Sequence, residues 1–600
     1  MGLPRNRTSD LQIKGIRGLV LGIVLSLKAA GSSDAPAVLT EEGWVTGVRQ
    51  RSASSRAMYA YQGIPFAKPP VGGLRFKDPV PSEPWEGVRD GTKMPEPCLQ
   101  APFLMVTSGV RVPPEKLLGV EDCLYLNVYK PVDNGPKADL PVMVWIHGGA
   151  YFSGSIKEYL SPVILDHDVV LVVIQYRLGV LGFLSTEDSV IPGNFGLKDQ
   201  TLALKWVQRN INNFGGDKTK VTIFGESAGG ASVHFHMLSP KSKGLFSRVI
   251  MQSGTAINNW AMYEKFREMA EEVGVAMKCP AHQGSQALLS CLQKVDARQL
   301  ASLFLDFMIW WILPIVFTPR VDGDYLPDEP AKLILEGRYN KVDLLAGHNS
   351  EDGALCSMAV WSFSHLRIAL EENFTLYGPE SMAMTVQDKE DKVEVSRQLY
   401  QHYLGDDMTL DEDHAEDFTQ LFTDVYFAVA HDLVTQQHAR HGLTTYRYVF
   451  GYRGEVSFSD NFDSVVGKHW VPHADDLYYI FSGGPLLKPH NRARQLTSTQ
   501  DLKMRSIMSK MWTNFAATGN PTPDGSLGFT WEPATEDNLH YASLVLPPVM
   551  KPDRRQKVRE FHASLPTKLN ALLNAEVVDG DEARQTPQRE EKNHSAQDEL

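Results

Sequence analysis

The sequence predicts an α/β fold, built on a central, mostly parallel, twisted sheet with helices on both faces. Short β-branched or apolar runs alternate along the chain with segments of helical periodicity, such as residues 201–214. No internal repeat interrupts this alternation, and the order strand, helix, strand is typical of a parallel sheet covered on both sides. The predicted strands are residues 141–146, 169–176, 221–224, 248–252, 342–346 and 445–452.

Length and composition favour one large domain over a string of small modules. The chain has 600 residues, of which 43% are hydrophobic, and Pro and Gly are scattered rather than gathered into linkers. We therefore expect a single domain over residues 37–574. The formal net charge of −13 disfavours nucleic acid as a partner, because phosphates require a basic face, and offers no polybasic patch for a membrane.

The N-terminal segment has the pattern of a secretory signal peptide. Lys14 and Arg17 precede the mostly apolar residues 18–27, and small residues follow. The apolar run is too short to span a bilayer, so residues 1–31 are expected to be removed by cleavage after Ala30 or Gly31. A short signal anchor that stays attached is the alternative.

The C-terminal segment is polar. Residues 575–600 are rich in charged and amide side chains, and we expect them to form a disordered tail. The tail ends in Gln597-Asp598-Glu599-Leu600, which resembles an endoplasmic reticulum (ER) retrieval signal and would be bound by a retrieval receptor. Retention in the ER lumen and secretion both remain open. Upstream, Asn373 is the best candidate for a glycan.

Five cysteines occur, and none belongs to a C-x-x-C pair. In a secreted chain this odd number indicates two disulfides and one free thiol. Pairing of nearest neighbours gives Cys98–Cys123 and Cys279–Cys291.

Ser227 lies in the most informative segment of the chain. The predicted strand 221–224 is followed at once by Gly225-Glu226-Ser227-Ala228-Gly229, and then by a run with helical character. A Gly-x-Ser-x-Gly turn between strand and helix is a nucleophile elbow, which lifts the serine hydroxyl above the sheet edge. The N–H of Ala228 would point at the same place.

A glycine-rich loop follows the predicted strand 141–146. It reads His147-Gly148-Gly149-Ala150, and glycine-rich backbone approaches a ligand closely with free N–H groups. Beside the elbow, the N–H groups of Gly149 and Ala150 would join that of Ala228 as an oxyanion hole.

These segments together resemble the type-B carboxylesterase/lipase family of the α/β-hydrolase superfamily, which holds carboxylesterases, cholinesterases and bile-salt-activated lipases. The resemblance covers about residues 37–568. Further markers are residues 61–67, 121–127 and 194–200, and the late markers His473-Ala474-Asp475-Asp476 and residues 512–516 look most like bile-salt-activated lipases.

The resemblance implies the two partners of the serine. The family's acid precedes a glycine, which selects Asp352 before Gly353, with Glu351 as the alternative. The family's histidine begins the His-Ala-Asp-Asp run and is therefore His473, with His469 as the nearest competitor.

The resemblance also implies structural pairs. It gives disulfides Cys98–Cys123 and Cys279–Cys291, which leaves Cys356 free, and buried salt bridges Arg75–Glu121 and Arg177–Asp199.

The implied activity is hydrolysis of carboxylic esters through an acyl-enzyme on Ser227. No metal or organic cofactor is required, and the expected partner is a small-molecule or lipid ester. A non-catalytic adhesion or binding protein is the competing reading, but such relatives typically lack the serine.

Pocket residues favour apolar acyl groups. The loop between Cys98 and Cys123 contains no Trp, where cholinesterases place their cation-binding indole. Leu313 and Ile315 take the place of two acyl-pocket phenylalanines, and Trp260 would form another wall. We expect broad apolar specificity with lipase-like activity. The apolar segment 307–311 would either line the mouth of the pocket or belong to the core.

Overall fold

A computed structural model describes residues 36–132, 139–160, 163–481 and 496–574. The predicted signal peptide and the polar tail, with its terminal Gln597-Asp598-Glu599-Leu600, lie outside these ranges. The described strands are β1 (Val38–Leu39), β2 (Trp44–Thr46), β3 (Val48–Arg51), β4 (Ala57–Pro65), β5 (Val88–Asp90), β6 (Tyr125–Pro131), β7 (Leu140–Ile146), β8 (Val170–Ile174), β9 (Gly216–Glu226), β10 (Arg248–Gln252), β11 (Asp343–Asn349), β12 (Thr445–Phe450), β13 (Tyr541–Leu544) and β14 (Val549–Lys551).

An 11-stranded sheet forms the centre of the molecule, in the order β14-β13-β12-β11-β10-β9-β7-β8-β6-β4-β3. The strands from β13 to β8 in this order are parallel, and antiparallel strands flank them on both sides. A separate small sheet holds β1, β2 and β5. The central strands are apolar on both faces because helices cover both sides, as in β8, where every residue is buried.

The described α-helices are α1 (Phe103–Thr107), α2 (Gly179–Phe183), α3 (Phe195–Asn210), α4 (Ala228–Leu238), α5 (Phe266–Ala276), α6 (Ser285–Leu292), α7 (Ala297–Ser302), α8 (Pro330–Leu335), α9 (Ala354–Ser362), α10 (Ser364–Glu372), α11 (Phe374–Met382), α12 (Lys392–Leu404), α13 (Ala415–Thr423), α14 (Val429–Arg440), α15 (Thr499–Thr518) and α16 (Gln556–Ser564). A π-helical turn, Asp424–Ala428, joins α13 to α14. Among the residues that the structure describes, no helix combines the length and the apolarity needed to cross a membrane.

The predicted α/β architecture is confirmed, and each predicted strand is present. The predicted and observed bounds differ where a strand or helix begins or ends in residues that lack an apolar pattern. Strand β9 begins at Gly216 rather than at residue 221, because the polar residues 217–220 extend beyond the buried part of the sheet. Helix α3 begins at Phe195 rather than at residue 201, and a 3-10 turn ends at Gly215, whose φ of 86° suits a helix C-terminus.

Covalent and ionic links join distant parts of the fold. Disulfides Cys98–Cys123 and Cys279–Cys291 are formed, and Cys356 is a free, buried thiol. The Arg75 guanidinium contacts both carboxylate oxygens of Glu121 at 2.5 and 2.8 Å. Asp199 is fully buried and accepts hydrogen bonds from Nε and Nη2 of Arg177 at 2.8 and 2.7 Å.

Removing the cation from this buried pair should destabilise the fold strongly. Arg177→Met leaves the Asp199 carboxylate buried without its partner, and we expect the free energy of unfolding to fall by about 3–5 kcal/mol. Arg440→Met is the matched control, since the Arg440–Glu536 pair is 3.5 Å long and about half exposed at both residues. That change should cost about 0–1 kcal/mol. Urea denaturation measures both, and equal losses would contradict a structural role for the buried pair.

Candidate active site

Four segments that the sequence singled out meet at the carboxyl edge of the parallel strands. Ser227 follows β9 directly, and the glycine-rich loop follows β7, its neighbour in the sheet. Asp352 lies just beyond β11, and His473 lies in the long connection after β12. Ligands of open α/β sheets gather at this edge.

Ser227 has the strained backbone of a nucleophile elbow. Its φ of 58° and ψ of −126° lie outside the regions that ordinary residues favour. The turn is held by the Ser227 N–H, which donates to the Gln252 carbonyl at 2.9 Å. It also depends on Gly229, because a Cβ there would lie 2.1 Å from the carbonyl oxygen of Ile146 at the end of β7.

The glycine-rich loop lies against the elbow. A Cβ added to Gly148 would be 3.0 Å from Cβ of Ser227. Within the described chain, neither Gly149 nor Ala150 donates its N–H to an acceptor, although Gly149 accepts hydrogen bonds at its carbonyl. Ala228 is the first residue of α4, so its N–H has no partner within the helix. The three N–H groups expected to form an oxyanion hole are therefore free to bind a ligand.

The loop keeps this shape at a conformational cost. Ala150 has a φ of 50° and Tyr151 a φ of 59°, a region that residues with a Cβ seldom adopt. The Tyr151 carbonyl accepts a hydrogen bond from the Gly179 N–H at 2.7 Å, which helps to hold the strained turn. Strain of this kind is found where the surrounding structure fixes a functional backbone.

Asp352 contacts the imidazole of His473. Its Oδ1 lies 2.9 Å from Nδ1 of the histidine, and its Oδ2 accepts a hydrogen bond from the Asn349 N–H at 3.0 Å. Both side chains are buried. The carboxylate therefore fixes the orientation of the ring and favours the proton on Nδ1.

Glu351, the alternative acid, points elsewhere. Its Oε2 accepts a hydrogen bond from the Val471 N–H at 2.9 Å and another from the Ser350 hydroxyl at 2.6 Å. Burial raises the pKa of this carboxyl above its ordinary value. Glu351 thus holds the chain two residues before His473 and does not touch the ring.

Asn349 makes a second link to the same segment, because its Nδ2 donates to the Pro472 carbonyl at 2.7 Å. The loop that carries Asp352 is therefore bonded along its length to the loop that carries His473. His469, the other candidate histidine, is exposed and contacts Glu416 on α13.

The second nitrogen of His473 faces the elbow. Nε2 lies 2.9 Å from Oε1 of Glu226, the residue before Ser227. Within the described residues Nε2 makes no hydrogen bond, and none joins it to the Ser227 hydroxyl. Phe427, in the π-helical turn, stacks on the imidazole with ring centres 4.6 Å apart.

Buried carboxylates control the charge of this histidine. Burial alone would lower the pKa of His473, but the nearby carboxylates of Glu226 and Asp352 outweigh it and raise the pKa to about 10. Two further buried carboxyl groups, those of Asp475 and Asp476, follow His473 in the sequence. Burial raises the pKa of Asp475 to about 8 and, together with Glu226, that of Asp476 to about 7. The site therefore stabilises a positively charged imidazole.

Comparisons with known proteins agree with this geometry. The model of the Carboxylesterase family matches residues 34–562. The chain belongs to the carboxylesterase family. It is 36% identical to juvenile hormone esterase of Tribolium castaneum over 82% of this chain and 85% of that protein. It is 35% identical to carboxylesterase 1E of Mus musculus over 84% and 90%, and 34% identical to pyrethroid hydrolase Ces2a of Mus musculus over 92% and 96%. This esterase hydrolyses carboxylic esters, and the family resemblance read from the motifs is confirmed.

Only two of the three expected pocket residues of the esterase line the same cavity. Trp260 and Ile315 line a cavity of about 170 Å³, whereas Leu313 is buried and not among its lining residues. Charged side chains also line this cavity, and Ser227, Asp352 and His473 do not. The indole N–H of Trp260 donates to the Tyr426 carbonyl, and its ring centre is 6.2 Å from that of Phe427. Trp260 is therefore separated from His473 by one aromatic ring.

Several residues of the esterase site escaped the sequence prediction. Phe427 contacts the imidazole but lies far from any motif. Phe152, just after the glycine-rich loop, stacks between Phe103 and Phe304 with ring centres 6.0 and 4.6 Å apart. Glu226 is the variable residue of the Gly-x-Ser-x-Gly motif. Only its charge could have indicated in the sequence that it would affect the histidine.

Neutralising Glu226 should lower the pKa of His473. In Glu226→Gln one of the two carboxylates that hold the proton is lost, so the NMR titration midpoint of the imidazole should fall below about 10. Because the folded-state pKa is raised, this stabilisation is present below pH 6.5 and disappears as the pH rises through about 10. The variant should therefore lose more stability in acid than in alkali.

Glu271→Gln, on the exposed surface of α5, removes the same charge where solvent screens it and is the control. An unchanged midpoint in Glu226→Gln would show that Glu226 does not control the imidazole.

Proposed function

We propose that Ser227 is the nucleophile of this carboxylesterase, His473 its general base and Asp352 the acid that orients the base. The observation that carries the proposal is the 2.9 Å contact between Asp352 Oδ1 and His473 Nδ1, with the opposite nitrogen turned toward the elbow. In unliganded enzymes the hydrogen bond from nucleophile to base is often open and closes in the substrate complex. The proposal requires the Ser227 hydroxyl to reach Nε2 of His473 in that complex.

The reaction proceeds by acyl transfer in two halves. The Ser227 oxygen attacks the ester carbonyl while Nε2 of His473 takes the hydroxyl proton, and the imidazolium then gives that proton to the departing alcohol. Water enters, loses a proton to Nε2 and attacks the acyl-enzyme. The carboxylic acid leaves as the serine oxygen recovers its proton, so the enzyme is unchanged.

The negative charge on the former carbonyl oxygen would be received by the N–H groups of Gly149, Ala150 and Ala228. Each donor of this kind is typically worth about 2.7–4 kcal/mol in the transition state. Ala150 stands where relatives often carry a third glycine, and its methyl group narrows the space beside the ester without removing the donor. The donors come from backbone that the elbow and β7 already fix.

The acyl group of the preferred substrate is apolar and of broad size. Phe427 stacks on the imidazole and Trp260 packs against Phe427, which gives this side of the site an aromatic wall. An apolar wall discriminates weakly between acyl groups that differ by a methylene, so a range of chain lengths should be accepted. Acceptance of long apolar acyl chains would also give the enzyme lipase-like activity.

The enzyme would act within the secretory pathway. Two disulfides suit an oxidising compartment, and Asn373 is exposed at the boundary between α10 and α11, where a glycan can be attached. Retrieval to the ER lumen through Gln597-Asp598-Glu599-Leu600 and export are the two destinations that the sequence allows. Removal of these four residues would increase export only if a retrieval receptor binds them.

Loss of the serine hydroxyl should abolish hydrolysis. Ser227→Ala should lower kcat on p-nitrophenyl butyrate by about 10⁴-fold or more, because no nucleophile remains. The wild type should also be labelled by a fluorophosphonate probe, whereas the variant should not. Ser232→Ala, five residues along on α4, removes a hydroxyl that donates to the Ala228 carbonyl and is the control.

Equal rates in wild type and Ser227→Ala would overturn the proposal. A wild type that neither hydrolyses the ester nor takes the label would support the binding-protein alternative.

A choline group should bring no advantage in the alcohol part of the substrate. Without an indole in the 98–123 loop, the esterase lacks a cation–π contact worth of order 2 kcal/mol, or roughly 30-fold. The kcat/KM for acetylthiocholine should not exceed that for 3,3-dimethylbutyl thioacetate, its uncharged isostere. A preference of roughly 30-fold for the cation would contradict this assignment of the pocket.

A further inference from the structure

Large apolar side chains are exposed in three segments that meet outside the active site. Met105 and Val110 lie on the disulfide-closed loop between Cys98 and Cys123, Ile309 lies in the 307–311 segment, and Ile368 lies on α10. Between 37% and 48% of each side chain is accessible to solvent. We call these four residues the apolar rim.

Specific contacts bring the three segments together. The indole N–H of Trp311 donates to the Thr107 carbonyl at 3.0 Å, and that of Trp310 donates to the Leu366 carbonyl at 3.1 Å. A Cβ at Gly109 would lie 3.9 Å from the His365 ring. Of the segment 307–311, Trp310 belongs to the core, as one of the two alternatives expected, whereas Ile309 is exposed at the surface.

The disulfide loop, which carries two of the rim residues, packs against residues 147–154, which we call the oxyanion loop. Gln100, at the base of the disulfide loop, accepts the Gly154 N–H at 2.7 Å and the Ser153 hydroxyl at 2.9 Å. Phe103, at the start of α1, stacks on Phe152 of the oxyanion loop. Aromatic packing thus links the disulfide loop, which carries Met105 and Val110, to the chain just after the glycine-rich loop.

Charge at the rim is balanced. Arg111 pairs with Asp306, and Arg367 pairs with Glu371, so the charged side chains of the three segments are largely neutralised by one another. The chain as a whole carries a formal charge of −13, which repels an anionic surface. The chemistry of the rim therefore fits an uncharged, apolar surface.

We propose that the apolar rim docks this esterase on the surface of aggregated, uncharged ester substrate, such as an emulsion droplet. The inference rests on the proposed function, because the packing against the oxyanion loop matters only if that loop binds the ester. Partial burial of each rim side chain in the droplet surface drives the attachment. Esters then enter the active site from the droplet rather than from free solution.

Flotation with droplets tests the docking separately from catalysis. The protein is Ser227→Ala, which cannot consume the lipid, and the droplets are triolein coated with phosphatidylcholine. Val110→Asp and Ile309→Asp, each added to Ser227→Ala, should lower the partition coefficient about tenfold or more, because a charge replaces a side chain that would be buried. Val275→Asp is the matched control, since Val275 is 70% exposed on α5, outside the rim segments.

Two comparisons complete the test. In the active enzyme, the same rim substitutions should leave kcat/KM on dissolved p-nitrophenyl butyrate within about twofold and should reduce turnover of a tributyrin emulsion. Droplets that contain phosphatidylserine should bind less protein than neutral droplets.

Equal flotation of the rim variants and Val275→Asp would overturn the proposal, as would tighter binding to anionic droplets. A wild-type dimer that Ile309→Asp dissociates would assign the rim to a second copy of the chain instead. If the wild type hydrolyses no ester but Ser227→Ala floats through its rim, the docking stands and the proposed function fails. Should Ile309→Asp not fold, Val110→Asp alone decides the outcome.

Discussion

The close approach of backbone between the nucleophile elbow and the end of β7 is the constraint on which the site depends. No side chain fits between Gly229 and the Ile146 carbonyl, and Gly148 lies almost in contact with Ser227. The serine and the N–H groups of the oxyanion loop are therefore positioned by the sheet itself, because β7 and β9 are neighbouring parallel strands. Donors fixed before the substrate arrives need no reorganisation when charge develops on it.

The electrostatics of the site match the state that follows proton transfer. His473 is surrounded by the carboxylates of Glu226 and Asp352, which favour the imidazolium over the neutral ring. In the proposed mechanism this arrangement would stabilise the tetrahedral intermediate, in which the histidine carries the serine proton, but it leaves the neutral base a minor form at any pH below about 10. The hydrogen bonds from Asn349 and to Glu351 matter for the same reason, since a charged ring is useful only where its nitrogen faces the nucleophile.

The parts of the site with a local signature could be predicted from the sequence, and the parts that depend on distant contacts could not. The elbow and the glycine-rich loop each follow a strand that its apolar run reveals, so Ser227 and Gly149 were predicted from neighbouring residues alone. A single histidine among 18 has no such signature, and His473 required the family resemblance. Phe427 contacts the imidazole from a helical turn that precedes it by many residues, and nothing local marks it. Strand β9 was placed too short because the polar residues 217–220 lack the pattern of a buried strand.

The disulfide loop between Cys98 and Cys123 exposes apolar side chains at its tip and holds neighbouring backbone at its base. Its tip exposes Met105 and Val110, and exposed apolar surface normally favours unwanted association. Its base must stay rigid, because Gln100 holds the backbone of Gly154 beside the oxyanion donors. The bond between Cys98 and Cys123 closes the loop across 25 residues and ties its two ends together. The helix that carries Met105 remains packed against the chain beside Gly154, because Phe103 at its start stacks on Phe152.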